Sequence, residues 1–260
     1  MALHEGITPI IAYVLDWETG GLSCNECGVT QLSVHAVRLN DFERLGTFMR
    51  YIIPYNKRTD KGTAKSKKTL KSKYDDGTTD QLMEYGTEAL AVQGATMDML
   101  YEKGIPLDQM VSEWLEWMDK MSEGCGKRAT APLLVGQNIP FDEGFMSQVM
   151  EYTGTTAEFK KRFRGNVDFW GNWHPTMVDT IVLGQMAMCH IPDITTYKLE
   201  IMAERLGINL VDAHDADADV EATESIFAVL GNRMRADNGA FTGADLKEVE
   251  KDKLRKHFKI

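Results

Sequence analysis

The segment Pro9–Trp17, PIIAYVLDW, is apolar until its last residues and then ends on charge. A short apolar run closed by polar residues reads as a strand buried within a sheet. It delivers Asp16 and Glu18 at its C-terminal end. A turn rich in Gly, Ser, Asn and Cys follows, GGLSCNECG, and then two alternating stretches, Thr30–Leu39 and Leu45–Pro54, joined through NDFER. Period-two alternation predicts antiparallel strands, so this part of the chain is expected to be a three-stranded meander.

The pattern breaks at Lys57–Asp80, which is polar and lysine-rich and has neither helical nor strand period; it reads as a long insertion. Helical segments are predicted at Thr87–Gln93, Met97–Lys103 and Leu107–Met121, the last with Val111, Trp114, Leu115 and Met118 on one face and Trp117 at its rim. Ala131–Gln137 is a compact apolar strand. Asn138 and Pro140 open the next helix, Asn138 as its N-cap, and that helix carries Phe141, Phe145, Met146 and Val149. Met177–Val182 reads as a strand, Lys198–Leu206 as an amphipathic helix and Asp217–Leu230 as a helix rich in small residues. Three strands, helices, strand, helix, strand and helices make an α/β domain with a mixed central sheet flanked by helices. Its expected extent is residues 1–232, with a charged helical tail over 233–260.

A composition of 43% hydrophobic and 26% charged residues can supply a core of that size. No stretch reaches the roughly 20 apolar residues of a membrane span, and MALHEGITPI lacks the features of a secretory signal. Four unevenly placed cysteines suit a reduced interior. These features predict a cytoplasmic protein. The net charge of −10 does not exclude nucleic acid, because distribution decides where a strand binds. Residues 57–73 hold eight cations against one acid, Asp60.

Three places in the chain gather acids where chemistry could use them. Asp16 and Glu18, two apart on a strand, point to one face. A charged pair at the mouth of a buried strand is costly unless something uses it. Asp41 and Glu43 share the spacing, but in a hairpin loop where a solvated turn explains them. Asp142 falls in the first turn of a helix after a later strand, a position that the helix dipole alone would favour. His214 and Asp219 stand five apart at the approach to the last helix, a place that a solvated helix start also fits. The same spacing recurs at His174 and Asp179, where Asp179 lies in a strand-like run. Carboxylates brought to one point by different elements, with a base nearby, suit hydrolysis of a phosphodiester with two hard divalent ions about 3.5–4 Å apart.

Taken together and in this order, LDWETGGL, VGQNIPFDEGFM and HDADADVEAT resemble the motifs of the DEDD exonucleases. Further resemblance lies in TEALAVQGATMDML, DTIVLGQMA and YKLEIMAERLGI, so that the likeness spans roughly Ile10–Leu230 around the insertion. The histidine five residues before Asp219 matches the DEDDh (DnaQ-like) branch, which includes the proofreading epsilon subunits of bacterial replicative polymerases; the sister branch has tyrosine where this chain has Asp215. The resemblance implies a ribonuclease-H-like fold and a 3′→5′ exonuclease releasing 5′-mononucleotides from single-stranded or frayed DNA. It implies two Mg²⁺ ions, replaceable by Mn²⁺, held by Asp16, Glu18, Asp142 and Asp219, with His214 as the base that takes a proton from water. It also implies contacts from Thr19 and Leu22 to the 3′-terminal nucleotide. Gly20 replaces the second threonine of many members and Gln137 replaces their histidine, two departures that bear on substrate handling.

RNA remains an alternative substrate, since no residue here settles contacts to a 2′-hydroxyl. So do a non-catalytic nucleic-acid-binding module and a phosphohydrolase of small nucleotides. Cys24 and Cys27 supply half a zinc site and read as reduced loop thiols. FKKRFR, Phe159–Arg164, could stack bases or be an amphipathic surface helix. The tail helix Thr242–Ile260, with Leu246, Val249, Leu254 and Phe258 in a stripe, could pack on the domain or hold a polymerase or other protein partner.

Overall fold

A computed structural model of the chain describes residues 10–58, 78–125, 131–209 and 216–235. The apolar N-terminal run forms β1 (Ile11–Thr19), which pairs with β2 (Val29–Arg38), and β2 pairs with β3 (Glu43–Tyr51), all antiparallel. Both ends of the lysine-rich insertion are strands, β4 (Asn56–Arg58) and β5 (Thr78–Leu82), paired with each other; residues 59–77 lie outside the described residues. Three helices follow, α1 (Thr87–Val92), α2 (Met97–Lys103) and α3 (Leu107–Met121). The chain then returns as β6 (Leu133–Gly136), parallel to β1, and turns into α4 (Ile139–Thr153) and α5 (Thr156–Arg162).

A small hairpin of β7 (Gly165–Val167) and β8 (Trp173–Pro175) leads into β9 (Met177–Asp179), parallel to β6. The helices α6 (Thr180–Met188), α7 (Leu199–Leu206) and α8 (Ala216–Arg235) complete the described chain. The main sheet has the order β3-β2-β1-β6-β9. It is therefore mixed, antiparallel on one side of β1 and parallel on the other.

Two local readings need correction. The run Met177–Val182 leaves the sheet at Asp179, because the Asp179 carboxylate accepts the Ile181 N–H (2.9 Å) and starts α6 there. A short apolar run satisfies a strand or a buried helix equally, and the cap decides. Asn138 precedes α4 but its side chain caps nothing; its backbone is left-handed (φ 58°), and its N–H donates to Asp179 Oδ1 (3.1 Å). The last described helix, expected over Asp217–Leu230, runs over Ala216–Arg235, and the tail segment Thr242–Ile260 lies outside the described residues.

Alternation along β1 divides the core in two. Tyr13, Leu15 and Trp17 face α3 and α4 and pack with Trp114, Phe145 and Val149; Tyr13 donates its hydroxyl to the Met118 carbonyl (2.7 Å). Ala12 and Val14 face the opposite way, toward Val220 and Phe227 of α8. Asp16 and Glu18 continue this even-numbered series, so the same alternation that builds the core aims both carboxylates at the α8 side. In FKKRFR the rings of Phe159 and Phe163 are buried against Trp114 and Tyr13, and the segment shows its cations and not its aromatics. No described helix is long and apolar enough to cross a membrane.

Candidate metal-binding active site

Asp16, Glu18 and Asp219 each offer a ligand atom, and those atoms lie within 4.8 Å of one another. Asp219 arrives from the first turn of α8, Asp16 and Glu18 from the end of β1. Asp142 reaches the same edge from the first turn of α4, on the other face of the sheet. It is only 2% exposed, and its Oδ1 accepts the Trp17 backbone N–H (3.0 Å), in the residue between Asp16 and Glu18.

Burial, and then the negative charge of Asp219, push the Asp16 carboxyl up to about 7. Burial, and then the charge of Asp16, hold Asp142 well above the carboxylate range. A group of acids that resists full ionisation either keeps protons or gains from a compensating cation. Convergent carboxylate oxygens are the donor set that hard divalent ions such as Mg²⁺ or Mn²⁺ prefer, so these residues fit such an ion. His214 lies outside the described residues.

A polar seam fixes where α8 sits. In the β1–β2 ladder, Gln31, Ser33 and His35 stand opposite Glu18, Asp16 and Val14, on the α8 side. Ser33 donates its hydroxyl to Asp217 Oδ1 (2.8 Å), and the fully buried His35 ring lies between Glu224 (2.6 Å) and Asp217 (3.2 Å). Arg44 from β3 donates to the same Glu224 carboxylate (2.7 Å). The Gln31 amide nitrogen is buried opposite Glu18 and has no hydrogen-bond partner among the described residues. The sequence reading missed this seam. Its signal was present in VTQLSVHAVR, where alternate positions of a strand buried on both faces are polar.

The turn after Glu18 is held internally. Thr19 is buried and donates its hydroxyl to the Gly21 carbonyl (2.7 Å), while its own carbonyl accepts the Gln93 amide (2.6 Å). Leu22 stands 89% exposed at the lip. The structure gives a reason for Gly20. A Cβ there would meet the Glu84 carbonyl oxygen at 2.3 Å and Tyr85 Cα at 2.9 Å, because the segment between β5 and α1 closes over it. Gly20→Thr is therefore expected to destabilise the fold by about 2–3 kcal/mol through overpacking against backbone, lowering Tm by roughly 5–10 °C in a thermal melt. An unchanged Tm would show that this segment yields freely.

Gln137 is likewise engaged. It donates to the Tyr197 carbonyl (2.7 Å) and accepts from Thr180 (2.5 Å), bracing one wall of an open cleft of about 660 Å³ lined also by Asn138, Ile181 and Leu199. Asp179 is accounted for as a helix cap, and His174 sits between Glu143 (3.0 Å) and Asp168 (3.4 Å), outside the carboxylate group. Cys24 and Cys27 are free thiols, and among the described residues neither joins a metal-binding group.

A five-stranded mixed sheet flanked by helices, with acids at the end of its central strand, is the ribonuclease-H-like fold. Solved structures with this architecture include exonuclease I from E. coli in complex with a dT13 oligonucleotide (TM-score 0.61, 16% identity, covering 89% of this chain and 43% of that one). The zinc-bound form of the E. coli exonuclease I complex with single-stranded DNA gives a TM-score of 0.59 at 17% identity, covering 88% of this chain and 42% of that one. A moderately thermophilic exonuclease I from Methylocaldum szegediense gives 0.58 at 18% identity, with 88% and 43% covered. The chain thus spans less than half the length of these exonucleases. No family model matches the chain, and no curated protein does.

Proposed function

We propose that this chain is a metal-dependent 3′→5′ exonuclease that removes 5′-mononucleotides from single-stranded or frayed DNA. The observation that carries the reading is the convergence of Asp16, Glu18 and Asp219 from the first strand and the last described helix, with Asp142 bonded across the end of β1. In this reading Asp16, Glu18, Asp142 and Asp219 hold two Mg²⁺ ions, or Mn²⁺ in their place. Bound divalent ions would supply an activated water and neutralise charge developing on the phosphate. His214 would take the proton from that water, the role a group titrating near neutral pH can fill. Thr19 would shape the floor under the terminal nucleotide through its turn, and Leu22, exposed at the lip, would meet its base.

DNA is favoured over RNA because the architecturally similar exonuclease I structures carry dT13 and dA16 oligonucleotides. The same likeness favours an exonuclease acting directly on strands over an epsilon-type proofreading subunit. A polymerase contact through the tail would involve residues outside the described ones. The deciding experiment incubates purified protein with matched 5′-labelled DNA and RNA single strands and Mg²⁺. Stepwise shortening of the DNA from its 3′ end, stopped by EDTA, is expected. Shortening of RNA alone would move the reading to an exoribonuclease. Binding without cleavage in Mg²⁺ and in Mn²⁺ would leave a binding module.

A further inference from the structure

Between α5 and β9 the chain makes an excursion that the carboxylate site does not use. The tip of the β7–β8 hairpin carries Phe169 and Trp170, 95% and 81% exposed, with ring centroids 5.9 Å apart and nearly perpendicular. Single exposed apolar residues are ordinary, but two adjacent large rings on a built turn call for a partner. The turn is built by Asp168, whose carboxylate accepts the backbone N–H of Trp170 (2.9 Å) and of Asn172 (2.8 Å) and the Asn172 amide (3.0 Å). Gly171 supplies the left-handed residue (φ 91°) that closes it.

The hairpin is also anchored beside the site's helix. At its foot Thr176 donates to the Arg164 carbonyl (2.7 Å) and accepts from Leu134 N (3.3 Å), level with Tyr13 of β1. Two residues up, His174 reaches Glu143, the neighbour of Asp142, whose carboxylate holds the Trp17 N–H. The hairpin is therefore held against α4, the helix whose Asp142 reaches the end of β1. Its tip is the turn Asp168–Asn172, which follows Val167, the last residue of β7. His174 ties the tip to the site's helix through Asp168 on one side and Glu143 on the other. In a chain of net charge −10, the end of α5 and the two residues after it place Lys160, Lys161, Arg162 and Arg164 before the hairpin, Lys161 paired with Glu158 and Arg162 with Asp119.

We propose that Phe169 and Trp170 form a stacking subsite for the bases of single-stranded nucleic acid approaching the carboxylate cluster. The proposal rests on the exonuclease reading and extends it to how the strand is held. Aromatic faces accept any base, contribute about 1–3 kcal/mol per stacked base, and pair with backbone-tracking cations in proteins that bind strands without sequence preference. Preorganisation by Asp168 limits the ordering cost on binding.

The test compares kcat/KM for dT12 and dT3 in the wild type and in the double variant Phe169→Ala/Trp170→Ala. The ratio of dT12 to dT3 should fall about 10- to 100-fold, through KM, and the fall should persist in high salt, where phosphate contacts weaken. Phe169→Trp/Trp170→Phe should restore the ratio, and Tyr101→Ala, an exposed aromatic on α2, should leave it at the wild-type value. An unchanged ratio, or equal losses on both substrates, overturns the subsite. If the wild type cleaves neither substrate, the exonuclease reading fails. Fluorescence anisotropy of labelled dT12 then decides the subsite separately: weaker binding by the double variant keeps it and equal binding overturns it.

Discussion

Asp16→Asn is expected to lower turnover by at least about 10³-fold and, in the metal-free protein, to raise Tm. The two effects share one cause. Stabilising transition-state charge by bound divalent ions amounts to several kcal/mol, and this substitution removes an acid from the group that would hold them. The same acid opposes folding when no cation is present. Burial and Asp219 raise its pKa from 3.8 to about 7 in the folded state, so the fold retains a proton that the unfolded chain releases. Stability from this group is therefore full below about pH 4 and is lost as pH rises toward about 7.

Asparagine has no such window. At pH 8 the metal-free variant should be more stable than the wild type by about 1–2 kcal/mol, or roughly 2–6 °C in Tm, and the gap should narrow at pH 5. Mn²⁺ should raise the wild-type Tm more at pH 8 than at pH 5.5, because protons and metal compete for the same oxygens. Melting curves of both proteins over this pH range, with and without Mn²⁺, provide the check. A variant that keeps its activity, or that melts lower at pH 8 with wild-type packing, would remove Asp16 from the site.

His214→Ala should lose on the order of 10²–10⁴ in kcat, the range for removing a general base. His174→Ala should stay within about tenfold of wild type on dT3, because its ring nitrogens meet Glu143 and Asp168 and not the carboxylate group. Burial acts to lower the His174 pKa, but hydrogen bonds and charges from Asp168 and Glu143 outweigh it, and the net shift is upward. Losing that ring would loosen the hairpin and leave the carboxylates where they are. The two variants share the residue type and the five-residue spacing to an aspartate, so position alone separates them. Equal losses would mean that His174 handles substrate directly.

The central strand and its two acids were legible in PIIAYVLDW because a buried strand has an unmistakable composition, and alternation then fixes which face each residue takes. The meander, α3, α4 and the late helix were legible for the same reason, each having enough turns or alternations to declare a period. Short elements were not. At three residues, β7, β8 and β9 are too brief for a period, and the end of β9 is set by the Asp179 cap in competition with an apolar run that continues through Leu183. The spacing of His174 and Asp179 imitated a site because a cap and a strand-to-helix ion pair use the same residue types as a metal centre. Gly20 read as a departure from a motif. Its reason, the Glu84 carbonyl, lies 64 residues away, and only the folded chain brings the two together.

The first described strand and the last described helix are neighbours, and this has a bearing on biosynthesis. On a ribosome Asp219 follows Asp16 by 203 positions, roughly 10–40 s at ordinary elongation rates. Until α8 docks, Ala12 and Val14 lack Val220 and Phe227, the Ser33–His35 seam lacks Asp217 and Glu224, and the acid group lacks Asp219. A nascent or prematurely terminated chain therefore carries a sheet without an assembled centre. On the proposed reading, translation itself would keep the acid group incomplete beside the nucleic acids that surround every ribosome until the last described helix arrives.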